Sequence, residues 1–204
     1  SLLDNPTYIS LNLYNSIYLV PNTQYNYNLV DINGLTVAQG SFTCQDIASC
    51  IVKINDISYD TTNTYYMMVY KADNNSFIGA ATLGIRSQVF LYDLVVDDLS
   101  TEEFLTVQMS KALQEPFNTI NVQRLLFASV SNLKPTLQIS NLIYAYFTYL
   151  TQEKGLSEQD AVSYMAEQYK NCEHGDCQLD ADFTKYDTLN NVLDTIAANV
   201  KQYA

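Results

Sequence analysis

The sequence has no tryptophan, a single histidine, and only ten lysines and arginines against 22 aspartates and glutamates. Its formal net charge is −12, and no run of basic residues occurs. Affinity for nucleic acids comes mostly from lysine and arginine side chains on phosphates, so DNA and RNA are not expected as partners. Anionic membrane surfaces would repel the chain for the same reason.

Signatures of catalysis are also scarce. His174 is the only histidine, no G-x-S-x-G motif occurs, and the six glycines form no phosphate-binding loop. We therefore assign no catalytic residue and no cofactor. One enzymatic alternative remains, a hydrolase that uses clustered carboxylates at the junction of the two halves: Asp97, Asp98, Glu102 and Glu103. Acidic residues also favour the first turn of a helix, which is the simpler interpretation.

Long apolar runs are absent too. No stretch approaches the roughly 20 apolar residues that a membrane-spanning helix needs, so no transmembrane segment is expected. The chain starts at Ser1 without methionine, and a secretion signal or a lipid anchor in a precursor is a hypothesis that the sequence leaves open.

The four cysteines form two local pairs, Cys44 with Cys50 and Cys172 with Cys177. Each pair closes a short polar segment, so we predict two neighbour-to-neighbour disulfides. Short loops of this kind gain stability near the lower end of ~2–4 kcal/mol. Disulfides indicate an oxidising compartment, either the periplasm or the cell surface and extracellular space.

The second pair lies in a segment with other possibilities, residues 171–187 (NCEHGDCQLDADFTKYD). Zinc held by Cys172, His174 and Cys177 fits poorly, because the spacer is longer than in usual structural sites. A redox pair is disfavoured because Cys172 follows a helical pattern, where the dipole opposes a thiolate. Calcium is the remaining alternative, with four candidate carboxylates: Asp176, Asp180, Asp182 and Asp187.

The first half has the pattern of strands. Alternating runs bounded by turn residues predict about seven or eight strands, typical of an antiparallel sandwich. Asn33-Gly34 predicts a hairpin turn. Residues 25–42 (YNYNLVDINGLTVAQGSF) resemble strand–turn–strand units of bacterial immunoglobulin-like or transthyretin-like domains. The resemblance implies the fold class and carries over no site residue.

The second half has the pattern of helices. Ser100 with Glu103, and Ser157 with Asp160, are spaced as helix caps, and Pro116 should end the first helix. Helical periodicity predicts a bundle of about five helices. The expected architecture is therefore an α+β protein of two domains, an antiparallel β-sandwich over residues 1–98 and a helical domain over residues 99–204.

Tyrosine is abundant, with 17 residues. Tyrosine gives large, rigid and amphipathic contact surface, so a recognition surface is a candidate function for Tyr14, Tyr18, Tyr25 and Tyr27. The alternative is that these rings simply fill a sandwich face. We expect a non-catalytic binding or scaffolding protein of bacterial type, secreted or in the cell envelope, whose partner is another envelope or surface protein.

Overall fold

A computed structural model describes the sheets, the helix after them and part of the chain beyond. The described residues are 8–14, 22–45, 49–57, 60, 62–84, 93–116, 120, 146–148, 150–151 and 154–171. They fall into two compact units, one ending at Phe104 and the other starting at Leu105. No helix in these ranges is both long and apolar enough to cross a membrane.

Seven strands and two longer helices are described. The strands are β1 Tyr8–Tyr14, β2 Thr23–Asp31, β3 Thr36–Cys44, β4 Ser49–Asn55, β5 Tyr65–Lys71, β6 Phe77–Leu83 and β7 Asp93–Val96. The helices are α1 Asp98–Leu113 and α2 Glu158–Asn171. Residues 146–148 and 150–151 are also helical.

The strands form two sheets. The first has the order β4-β1-β7, and the second has the order β3-β2-β5-β6. Every neighbouring pair is antiparallel except β1 and β7, which run parallel with Leu11 opposite Leu94. β2 and β5 are therefore the central strands of the second sheet.

Both sheets contribute to one hydrophobic core. Side chains alternate between the two faces of a strand, and β1 illustrates this with Ile9, Leu11 and Leu13 fully buried. The second sheet adds Tyr25, Leu29 and Met67, among others, to the same cluster. The inner faces thus remove apolar surface from water at about 25 cal/mol per Å², which is the main force that holds the sheets together.

The hairpin between β2 and β3 forms as the Asn-Gly pair predicts. Gly34 has a φ of +84°, a left-handed conformation that glycine adopts without a steric cost. The Asp31 carboxylate accepts hydrogen bonds from the backbone N–H groups of Asn33 and Leu35, at 2.8 and 2.9 Å. The turn is therefore fixed by a side chain as well as by its backbone.

The predicted fold class is wrong. The three-stranded sheet is not antiparallel throughout, because β7 returns alongside β1 in the same direction. The described residues contain α1, α2 and a short helical segment, and no five-helix bundle is evident among them. Helical periodicity shows that a segment has an apolar face, but it does not show that helices pack on one another. The domain boundary between residues 98 and 99 stays a prediction.

The cap of the first helix also differs from the expected one. α1 begins at Asp98, two residues before Ser100, and Asp97 is at the N-cap. The Asp97 carboxylate accepts a hydrogen bond from the Ser100 backbone N–H at 2.7 Å, and the Asp97 N–H donates to Ser100 Oγ at 2.9 Å. The cap of α2 is confirmed, since Ser157 Oγ accepts from the Asp160 N–H at 3.1 Å.

The predicted Cys44–Cys50 disulfide is confirmed, with Cα atoms 5.5 Å apart. Cys44 ends β3 in one sheet and Cys50 lies in β4 of the other, so the bridge joins the two sheets at their shared core. Cys172 and Cys177 lie outside the described residues, and their disulfide stays a prediction.

Replacing Cys44 and Cys50 together by alanine should lower the free energy of unfolding by about 2–3 kcal/mol, because a short cross-linked loop restricts the unfolded chain by roughly this amount. Denaturant unfolding of the native protein and of the double variant, compared by midpoint and slope, measures the loss. Equal midpoints would contradict a stabilising role for the bridge.

Candidate functional site

The outer face of the four-stranded sheet is divided into two halves. Over β5 and β6, the Phe104 ring from α1 packs against Tyr66 and Phe77, with ring centroids 5.6 and 6.3 Å apart. Over β2 and β3, the outward side chains from Gln24 to Asn28 and from Gln39 to Thr43 are polar, whereas Val30 is apolar and buried. The first turns of α1 thus bury the apolar half of this face.

Hydrogen bonds hold α1 on β6. Ser100 Oγ donates to the Ala80 carbonyl at 2.8 Å, and Thr101 Oγ1 accepts from the Ala80 N–H at 3.1 Å. Gly79 makes the close approach possible, because a Cβ there would lie 3.0 Å from Thr101 Oγ1. The helix therefore bonds both the N–H and the carbonyl of Ala80. These bonds fix the position of the first turn of α1 on the sheet.

The polar half contains a depression of about 640 Å³. Amides, hydroxyls and one phenol dominate its lining: Asn26, Asn28, Gln39, Ser41, Tyr70 and Asn75. Tyr27 and Gly40 complete it, and none of the described residues that line it is charged. The volume lies within the ~300–1,000 Å³ range of small-molecule sites, although the lining is more polar than is usual for them.

Strand register sets the geometry of the depression. Asn26 lies directly opposite Ser41 on β3 and Tyr70 on β5, and Asn28 lies opposite Gln39. Opposed residues on one face have Cβ atoms about 4.5–5.5 Å apart, so these positions form a compact grid. The Ser41 hydroxyl donates to Asn26 Oδ1 at 2.7 Å, which leaves the Asn26 amide N–H₂ available as a donor.

Asn28 contributes an unusual acceptor. Its Oδ1 is buried and has no hydrogen-bond partner among the described residues. A buried polar atom without a partner costs about 1–3 kcal/mol, so this acceptor does not itself stabilise the fold. Asn28 lines the depression, and because the χ2 torsion of asparagine is broad, its amide can rotate to present Oδ1 to a ligand there.

Tyr27 alternates with the two asparagines along β2 and packs against the core. Its ring stacks on Phe42 with centroids 6.3 Å apart, and it passes close to Gly40 on the opposite strand. A Cβ on Gly40 would lie 2.6 Å from the Tyr27 hydroxyl oxygen, so a larger residue there would require the Tyr27 ring to move from its present position. Burial raises the pKa of Tyr27 above its usual value, and the phenol therefore stays neutral.

The predicted recognition tyrosines do not lie together on one exposed surface in the part of the chain that the structure describes. Tyr25 is fully buried and stacks on Phe42, so its ring packs in the core. Tyr27 is partly buried against the same cluster and borders the depression. Tyr14 belongs to β1, but its side chain and all of Tyr18 lie outside the described residues.

The candidate calcium ligands Asp176, Asp180, Asp182 and Asp187 also lie outside the described residues and stay a prediction. Within the described ranges, no group of three or more His, Cys, Asp or Glu residues is placed to hold a metal ion.

Of the clustered carboxylates, Asp97 caps α1, as described above. Glu102 follows in the second turn of the helix, and burial, with the neighbouring charge of Glu103 as the second cause, raises the pKa of Glu102. The side chain of Asp98 is not described. The capping interpretation therefore accounts for Asp97, and the hydrolase alternative stays untested.

The sequence reasoning concentrated on tyrosines and missed the asparagines between them. The signal was present, since Asn26 and Asn28 alternate with Tyr25 and Tyr27 on a strand. Gln39 and Ser41 repeat the same spacing on the partner strand, but only the register brings them opposite the asparagines. Comparison with known protein families, with curated proteins and with solved structures finds no match for this chain.

Replacing Asp97 by alanine should lower the free energy of unfolding by about 1–2 kcal/mol, because the N-cap acceptor is lost. Asp97→Asn should cost little, since asparagine caps helices as well as aspartate. Thermal unfolding of the two variants measures the difference. A hydrolase that used this carboxylate would instead lose its activity in Asp97→Asn while keeping its stability.

Replacing Glu102 by glutamine should stabilise the protein near pH 7 and make little difference near about pH 3. The folded state binds the Glu102 proton more tightly than the unfolded chain, because the pKa is raised on folding. The protonated Glu102 side chain therefore contributes fully to folding stability below the ordinary pKa of glutamate. This contribution is lost as the pH rises through the raised pKa of the folded state. Denaturant unfolding at the two pH values tests this, and an equal gain at both would contradict it.

Proposed function

We propose that this chain is a non-catalytic binding or scaffolding protein that acts outside the cytoplasm, secreted or attached to the cell envelope. In this proposal its binding surface is the depression on the outer face of the four-stranded sheet. The observation that carries it is the set of uncharged hydrogen-bonding groups gathered there, together with the unpaired buried acceptor of Asn28.

The polar side chains of this face are better explained by a binding role than by a purely structural one. Polar side chains that serve only solubility are usually charged and scattered, whereas these are neutral and converge on one depression. The inward neighbours on β2 hold the backbone rigidly, since Tyr25 and Leu29 are fully buried. Groups on rigid strands lose little conformational entropy when they bind a ligand.

The compartment is the second part of the proposal. Disulfides persist in oxidising environments, and the Cys44–Cys50 bridge supports a location in the periplasm or on the cell surface. We propose a lipid anchor in the precursor as one route to such a location. The partner would then be a component of the envelope or the cell surface, and another protein there is the partner that the sequence suggests.

A matched pair of variants tests the binding face. Asn28→Ala with Gln39→Ala removes two opposed amides from the depression. Gln24→Ala with Thr43→Ala removes an equally opposed polar pair from the same two strands, outside the depression. The first pair should lower retention of the labelled protein on the surface of its producing cells by about tenfold, and the second should leave it unchanged.

Flow cytometry measures the retention, and thermal unfolding shows that each variant is folded. Loss of the Asn28 amide removes an unpaired buried oxygen, so this variant should be at least as stable as the native protein. Equal retention of both variants and the native protein would contradict the proposed binding face.

A further inference from the structure

We propose that the ligand of the depression is a neutral saccharide, an inference that rests on the proposed binding function. It gives the chemical class of the ligand, which that function leaves open. Three properties of the depression argue for it: the kind of hydrogen-bonding groups, the lack of charge and the aromatic ring at one side.

The hydrogen-bonding groups match vicinal hydroxyls. Each amide side chain offers both donors and acceptors, and each sugar hydroxyl both donates and accepts. With Asn26 Oδ1 bonded to Ser41, its N–H₂ is left to donate. Asn28 Oδ1 is left to accept, two residues along the same face of β2. Gln39 lies opposite Asn28 and is exposed, so its amide adds a further donor and acceptor.

The lack of charge selects a neutral ligand. The described residues that line the depression include no lysine or arginine, so a phosphate, sulfate or carboxylate would find no cation among them. The net charge of −12 would also repel an anion. A cation would find no carboxylate among these described lining residues to replace its lost hydration. Neutral hydroxyl groups meet neither penalty.

Tyr70 supplies an aromatic surface beside the amides. Its ring meets Phe77 edge to face, with centroids 5.9 Å apart and an angle of 74° between the planes. Its hydroxyl donates to Met68 Sδ at 3.4 Å. These contacts hold the ring in place, and the electron-rich face of an aromatic ring attracts the weakly positive C–H groups of a pyranose ring.

A protein partner fits this surface less well. Protein interfaces place aromatic or aliphatic anchors in apolar, fully desolvated pockets at their centre. The lining of this depression instead includes the amides Asn26, Asn28 and Gln39. An apolar anchor would leave these amides without hydrogen-bond partners, whereas each of them can bond a sugar hydroxyl.

The test uses the labelled protein on its producing cells, with portions of the cells treated by periodate or by protease. Periodate cleaves carbon–carbon bonds between vicinal hydroxyls and so destroys saccharide ligands. We expect periodate to lower retention about tenfold, to the level of the Asn28→Ala/Gln39→Ala variant. The Gln24→Ala/Thr43→Ala control should respond to periodate as the native protein does.

Immobilised neutral and anionic polysaccharides then identify the class directly. The native protein should bind at least one neutral glucan, galactan or mannan, and the depression variant should bind it about tenfold more weakly. Retention that resists periodate but is lost with protease would overturn the saccharide and indicate a protein, while the proposed binding face would stand. Retention that does not depend on Asn28 and Gln39 would overturn the binding face itself.

Discussion

The pleat of β2 is the constraint on which the rest of the described fold depends. Because successive side chains point to opposite faces, Tyr25, Tyr27 and Leu29 lie on the core side, and Asn26 and Asn28 lie on the outer side. A shift of one residue would bury the amides and expose the rings, at a cost that the core could not sustain. The packing of the two sheets therefore also sets the position of the candidate binding groups.

The helix after β7 decides how much of the outer face is left for binding. Its N-terminus is bonded to Ala80 on β6 through Ser100 and Thr101, and Phe104 then covers the aromatic rings of β5 and β6. Tyr70 lies at the margin of this cover, opposite Asn26. The same outer face is thus apolar where the helix packs and polar beside it, and Tyr70 belongs to both parts.

Local features of this fold could be predicted from the sequence because local chemistry determines them. Asn33-Gly34 specifies the hairpin, the six-residue separation of Cys44 and Cys50 permits the disulfide, and Ser157 caps α2. Each depends on residues that are close in the chain, where turn and capping preferences dominate.

Features that depend on distant partners could not be predicted in this way. The parallel pairing of β7 with β1 joins residues more than 80 positions apart, and no local pattern encodes it. Both Asp97 and Ser100 are good caps, and Asp97 takes the role because Ser100 bonds Ala80 instead of starting the helix. The depression also requires the β2–β3 register, which converts two separate polar alternations into one grid of amides.

The buried Asn28 acceptor is a position at which the requirements of stability and of the proposed binding function differ. Most positions in the described sheets satisfy local preference, packing and hydrogen bonding together, as the core side of β2 does. Asn28 does not, because its carbonyl oxygen is removed from water without a donor to replace it. Selection for stability alone would favour an apolar or β-branched residue on such a strand. In the binding proposal, a ligand hydroxyl would supply the donor that Asn28 Oδ1 lacks within the described chain.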